Sequence, residues 1–159
     1  MENKSTENVF KPKKDLVHHI LAHSYMFYFI AFIVGLFFDY IFPLKIFENN
    51  STVLLGSLVS ILGTILVLWA QKSSKTFDKN NITKNSFCNG PYRFTRNPTH
   101  WGLFFLIVGF SFIMNSLFIF FFTIVSFVIT KSFFLKRQER VLEHKYGAPY
   151  MEYKKSVRF

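Results

Sequence analysis

Four apolar runs divide the chain, at residues 24–42, 52–70, 99–114 and 116–135, with polar segments before, between and after them. A helix crosses a hydrocarbon core of about 30 Å with roughly 20 mostly apolar residues, so the pattern predicts about four transmembrane helices. The third run is short, reaching only about 24 Å at 1.5 Å per residue. It is expected to form a tight hairpin with the fourth around Asn115 and Ser116. The first run holds Asp39 near its far end, where Pro43 ends the helix, and this placement reads as an interfacial carboxylate. The polar N-terminal two dozen residues lead into an apolar stretch too long for a signal-peptide core, so that stretch is expected to be a retained helix.

Beyond the fourth run, Val141, Leu142 and Tyr146 recur at helical spacing among charged residues. An amphipathic helix over residues 136–147 follows, lying on the membrane surface and stopped by Gly147. An anchoring tail and a wall of an active site are equally consistent with it. The fold class expected is all-α integral membrane, with a single domain over residues 1–159 and a polar loop at residues 72–98.

Composition and charge orient this arrangement. Half of the 159 residues are hydrophobic and 23 are phenylalanine, yet the net charge is +10. Of the 19 lysines and arginines, all but Lys45 and Lys131 fall before the first run, between the second and third, or after the fourth. With four spans those regions share one face, which the positive-inside rule makes cytoplasmic; both termini are then inside, in a multi-pass protein of the cell membrane. Because the charges follow membrane borders, they indicate topology and attraction to anionic lipid, and no nucleic-acid partner is expected. A lone Cys88 excludes an internal disulfide and reads as an inert thiol. His18, His19 and His23 include an i, i+4 pair, but at the border of the first run they read as headgroup-level residues and no metal is expected.

Chemistry concentrates between the second and third runs, in Gly90-Pro91-Tyr92-Arg93-Phe94-Thr95-Arg96-Asn97-Pro98-Thr99-His100-Trp101-Gly102. Gly-Pro and Asn-Pro each favour a turn, and Pro98 suits the first turn of a helix because its missing N–H would be unpaired there. Two arginines, a tyrosine and a histidine are thereby fixed at the membrane border beside a helix N-terminus, a plausible binding site.

These residues resemble the isoprenylcysteine carboxyl methyltransferase family, with its related phospholipid N-methyltransferases. The resemblance rests on Gly90, Pro91, Tyr92, Arg93, Arg96, Asn97, Pro98 and Gly102, and at the end of the chain on Glu139, Leu142, Tyr146, Gly147, Tyr150, Tyr153, Val157, Arg158 and Phe159. It covers roughly the second half of the chain. It implies S-adenosylmethionine bound on the cytoplasmic side, with contacts on Lys84, Asn85, Ser86, Phe87, Tyr92, Arg93, Asn97, Pro98, Thr99, His100 and Gln138. His100 stands where the family has tyrosine, and Gln138 replaces the first glutamate of the family's acidic pair; both keep hydrogen-bonding capacity. Phe134 stands where the prenylcysteine enzymes carry a substrate-binding arginine, which argues against prenylcysteine as acceptor.

The implied activity is methyl transfer to a lipid-like acceptor that arrives laterally from the bilayer, by carboxyl O- or amine N-methylation. Positioning and exclusion of water would carry most of it. Glu139 and His100 are the candidate bases for an amine acceptor, with Arg96 beside them as a third candidate catalytic group. Two alternatives are a non-catalytic lipid-binding or assembly subunit, and a nicotinamide-dependent membrane reductase of related architecture.

Overall fold

In the computed structural model, described for residues 15–47, 52–75 and 83–157, helices account for nearly all of the described residues and no strand forms among them. The helices are α1 (Asp15–Ile41), α2 (Thr52–Lys75), the short α3 (Lys84–Phe87), α4 (Pro98–Ile113), α5 (Leu117–Ile129), α6 (Lys136–Tyr146) and α7 (Ala148–Ser156). A 3-10 turn occupies Gly90–Arg93, and a π-helical turn at Thr130–Leu135 joins α5 to α6. Among the described residues, three stretches are long and apolar enough to cross a membrane: Ala22–Ile41, Thr52–Ser74 and Leu117–Tyr146. The fourth apolar helix, α4, has 16 residues. The chain is thus a multi-pass integral membrane protein, as the four apolar runs predict.

Two details differ from the sequence expectation. The helix expected at residues 136–147 forms as α6, but it joins α5 through the π turn in one helical stretch, Leu117–Tyr146. A further helix, α7, follows Gly147, whose φ of +61° breaks α6 from it. Lys154 and Lys155 in the last turn of α7 suit the negative end of the helix dipole.

The closest helix pairing is between α2 and α4, and small residues make it possible. Gly56 and Gly63 on α2 and Gly102 and Gly109 on α4 are each seven residues apart, so each pair stays on one face. A Cβ added at Gly63 would lie 2.5 Å from the Leu106 nitrogen and 2.7 Å from the Gly102 oxygen. The backbones themselves touch, which in lipid replaces the hydrophobic drive that water would supply. Ser60 adds a hydrogen bond to the Leu106 carbonyl at 3.3 Å. The other pairing, α1 against α5, buries Ile119 completely where its backbone meets Gly35.

The α4–α5 hairpin turns at Asn115 and Ser116, as expected. Asn115 takes φ +53°, a region that asparagine tolerates. Its side-chain oxygen accepts from the Ile46 and Phe47 N–H groups at 3.0 Å each, and its amide donates to the Phe47 carbonyl at 2.7 Å. Leu117 N–H donates to the Leu44 carbonyl at 3.1 Å. The end of α1 is therefore tied to the α4–α5 turn, and the polar loop and C-terminal helices lie at the opposite end of the bundle.

Gly63→Ala is expected to destabilise the protein by about 1–3 kcal/mol, since its methyl group meets backbone that cannot step aside. Thermal unfolding in detergent, with the outward-facing Leu62→Ala for comparison, checks this. An unchanged midpoint for Gly63→Ala would contradict the close approach of α2 and α4.

Candidate functional site

Gly90 opens the site loop at φ +57°, and a Cβ there would overlap the side chain of Ser73 on α2. Glycine is therefore needed for both conformation and space. Pro91 is buried, and its carbonyl accepts from Phe94 N–H at 3.1 Å and Thr95 N–H at 3.2 Å, which curls the chain toward α4. Asn97 then starts α4, its carbonyl accepting from His100 and Trp101 N–H at 3.2 and 3.3 Å, with Pro98 in the first turn as the sequence predicts. Burial raises the pKa of the Tyr92 hydroxyl, and its hydrogen bonds to Thr99 and Ser74 oppose that rise.

From the other side, α6 and α7 close over this loop. Arg96 meets Glu139 at 2.9 Å. Lys154 of α7 meets the second Glu139 oxygen at 3.1 Å and Glu143 at 2.6 Å. Glu139 is only 15% exposed, so its charge requires such partners, whereas Lys154 at 39% is largely screened by solvent. The hydrogen bond to Glu143 raises the pKa of Lys154, and Glu139 adds to that rise. Tyr153 donates to the Tyr92 carbonyl at 2.7 Å. Phe87 lies among Tyr146, Tyr150 and Tyr153 with ring centroids 5.2, 5.4 and 5.6 Å away. Burial pushes the Tyr150 and Tyr153 hydroxyls well above their usual range.

Between loop and helix lies a pocket of about 210 Å³ lined by Thr95, Arg96, Asn97, His100, Trp101, Phe127, Lys131, Leu135, Lys136 and Glu139. His100 is 2% exposed, and neither ring nitrogen has a hydrogen-bond partner. Tyr25 and Tyr28 of α1 flank its ring at 5.8 and 6.3 Å between centroids. Buried polar atoms are normally paired, so such a ring turned to a pocket is suited to a ligand's polar groups.

The residues singled out in the sequence divide into three sets. Arg96, Asn97, His100 and Glu139 come together in this pocket. Lys84, Asn85 and Arg93 line a separate, open cleft of about 500 Å³ with Cys88, Ser156 and Val157. Ser86, Phe87, Tyr92, Pro98, Thr99 and Gln138 line neither of these two; Phe87 and Tyr92 instead hold the loop to α7. Sequence reasoning missed Lys131 and Lys136 as site residues and treated Lys154 only as a topology charge. The one available signal was Lys131, a cation near the inner end of an otherwise uncharged run. Of the juxtamembrane histidines, the side chains of His18 and His19 lie outside the described residues, as do Arg158 and Phe159 at the end of the chain.

A family model described as Phospholipid methyltransferase matches residues 51–149, from the start of α2 into α7. The chain belongs to this family. Family membership makes it an S-adenosylmethionine-dependent methyltransferase, related to the prenylcysteine enzymes of the wider superfamily. No curated protein and no solved structure shows a significant match. The pocket fits part of such a cofactor: Glu139 and the Trp101 and Phe127 rings suit a sulfonium cation, and Asn97 and the His100 nitrogens can pair with polar groups. The space is below the roughly 300–1,000 Å³ common for whole ligands. It therefore suits the reacting end of the cofactor.

Arg96→Ala is expected to uncouple the loop from α6, the loss of a charged hydrogen bond of about 1.5 kcal/mol, and to speed amide exchange across residues 92–98 roughly tenfold. Unchanged exchange would show that the ion pair does not hold the loop. The Lys154 pKa is raised on folding, so its contribution is complete below the unfolded value of 10.5 and is lost as pH climbs through the folded value. Near-UV circular dichroism should accordingly show α7 loosening only above pH 10.5, and loosening at neutral pH would contradict the assignment.

Proposed function

We propose that the enzyme N-methylates the primary amine of a phospholipid headgroup, with the loop, α6 and α7 on the cytoplasmic side of the cell membrane and α4 acting as a fourth span. One observation carries the reading. A pocket at one end of an apolar bundle combines a buried histidine with both ring nitrogens unpartnered, a carboxylate held by two cations, and an apolar wall of Trp101, Phe127 and Leu135. The crowding of Lys72, Lys84, Arg93, Lys136 and Arg137 at that end supports the cytoplasmic orientation.

Asn97, His100 and Glu139 would hold the cofactor's reacting end, and Lys84, Asn85 and Arg93 in the neighbouring cleft are candidates for its remaining polar groups. When bound, the cofactor supplies an electrophilic methyl group. An amine attacks only as the free base, so the headgroup ammonium must first lose a proton. We assign that proton to His100, whose ring nitrogens are unpartnered, while Glu139 is occupied by Arg96 and Lys154. Glu139 then stabilises the cationic headgroup and fixes Arg96, while the tyrosines of α1 and the α6–α7 cover keep water from the site. The lipid enters sideways past the Trp101 and Phe127 rings that wall the pocket. Phe134 packs on Phe27 with centroids 6.2 Å apart and presents no cation to a prenylcysteine carboxylate.

His100→Gln retains hydrogen bonding and cannot take the proton, so turnover of phosphatidylethanolamine should fall about 10²-fold or more. Calorimetric affinity for S-adenosylmethionine should change little. Methyl transfer to a fatty or isoprenoid carboxylate by the unaltered enzyme, with none to phosphatidylethanolamine, would replace N-methylation with O-methylation.

A further inference from the structure

Within an α-helix, residues five apart stand about 140° apart around the axis. A π-helical turn, bonded from i to i+5, brings them closer in angle. The π-helical turn at Thr130–Leu135 narrows the angle between Lys131 and Lys136, and both line the pocket with Phe127, Leu135 and Glu139. Both lysines are exposed, and among the described residues neither has an ion pair or a hydrogen bond. The pocket's carboxylate cannot neutralise them, because Arg96 and Lys154 already hold it. Two uncompensated cations thus share one wall, beginning where the uncharged run that ends at Thr130 gives way to charged residues.

We infer that Lys131 and Lys136 form a phosphodiester seat for the headgroup of a phospholipid, which sets the headgroup amine on the Glu139 and His100 side of the same pocket. This rests on the phospholipid reading above and deepens it. Charge matches along the pocket: an anionic phosphate meets the lysines, and a cationic amine meets the carboxylate and the imidazole. Depth matches too. Lysine stems at a membrane border lie along apolar surface and place their ammonium groups at headgroup level, where lipid phosphates are concentrated. A water-soluble cofactor's carboxylate is the competing anion, but Lys131 projects from the membrane helix beside Trp101 and Phe127, on the lipid's route.

The test compares binding of dioctanoyl-phosphatidylethanolamine and dioctanoylglycerol to the purified, cofactor-free protein by native mass spectrometry, with S-adenosylmethionine affinity measured separately by calorimetry. The unaltered protein should prefer the phospholipid at least tenfold, since hydrogen bonds to charged groups contribute about 1.5–3 kcal/mol. The preference should vanish in Lys131→Gln/Lys136→Gln and persist in Lys131→Arg/Lys136→Arg, with cofactor affinity equal in all three. A preference that survives the glutamine pair, or is absent from the unaltered protein, overturns the phosphate seat. So does a loss confined to cofactor affinity, which would assign the lysines to the cofactor's carboxylate. Failure of the broader reading looks different: the lysine-dependent preference stands, yet the unaltered enzyme transfers no methyl group to phosphatidylethanolamine.

Discussion

A carboxylate that is 15% exposed must be neutralised, and Glu139 is neutralised from two directions. Arg96 comes from the loop that opens α4, and Lys154 comes from α7, so one charge ties the loop to both C-terminal helices. The tie fixes how far the loop stands from the α5–α6 helix, and hence the width of the pocket between them. It also limits what Glu139 can do chemically. A carboxylate already sharing both oxygens with cations is a poor destination for a proton and a good electrostatic wall for an ammonium or sulfonium group.

The scaffold beneath this tie depends on distances shorter than ordinary side chains permit. Gly56, Gly63, Gly102 and Gly109 let α2 and α4 meet backbone to backbone, and this contact sets the position from which Asn97 starts α4 and His100 projects. At the far end, Asn115 does with one side chain what a longer loop would do with many, binding three backbone groups of residues 46 and 47. The bundle is thus pinned by packing in the middle and hydrogen bonds at one end, leaving the other end to carry chemistry. The π turn belongs to that chemical end. It alters the phase of the last long helix, so that Phe127, Lys131, Leu135, Lys136 and Glu139 share one face, whereas a continuous α-helix would rotate the later residues away.

Much of this was legible in the amino-acid sequence because hydrophobic length and charge distribution are strong signals in a membrane protein. The four apolar runs, the turn at Asn115 and Ser116, Pro98 at the start of its helix and the stop at Gly147 were all readable from residue type and spacing. The gathering of Arg96, Asn97, His100 and Glu139 was readable only through the resemblance, since no periodicity links a loop to a helix some 40 residues later. The π turn was not readable. Nothing in Thr130–Leu135 distinguishes it from ordinary helix, and without it Lys131 and Lys136 belong to different faces. Helix α7 was hidden for a different reason: its buried Tyr150 and Tyr153 are three apart, but polar residues surround them and no apolar run results.

The two departures from the family pattern carry unequal weight. Gln138 and Glu139 are neighbours on one helix and stand about 100° apart around its axis, so only one of them can face the pocket squarely. Glu139, the residue that keeps the family's acid, lines the pocket and holds both cations, while Gln138 lines neither depression. Losing the first acid therefore leaves the charge tie intact. His100 is the opposite case. It is buried, it faces the pocket, and its ring nitrogens have no protein partner, so replacing a phenol with an imidazole changes the site's own chemistry. A phenol with a pKa near 10 donates a hydrogen bond at neutral pH, whereas a neutral imidazole also offers a lone pair. That lone pair is what an ammonium substrate needs before it can act as a nucleophile, and a carboxylate substrate needs nothing of the kind. The substitution at residue 100 thus alters what the pocket itself can offer a bound group, whereas the change at residue 138 leaves the pocket's charge pattern as it was.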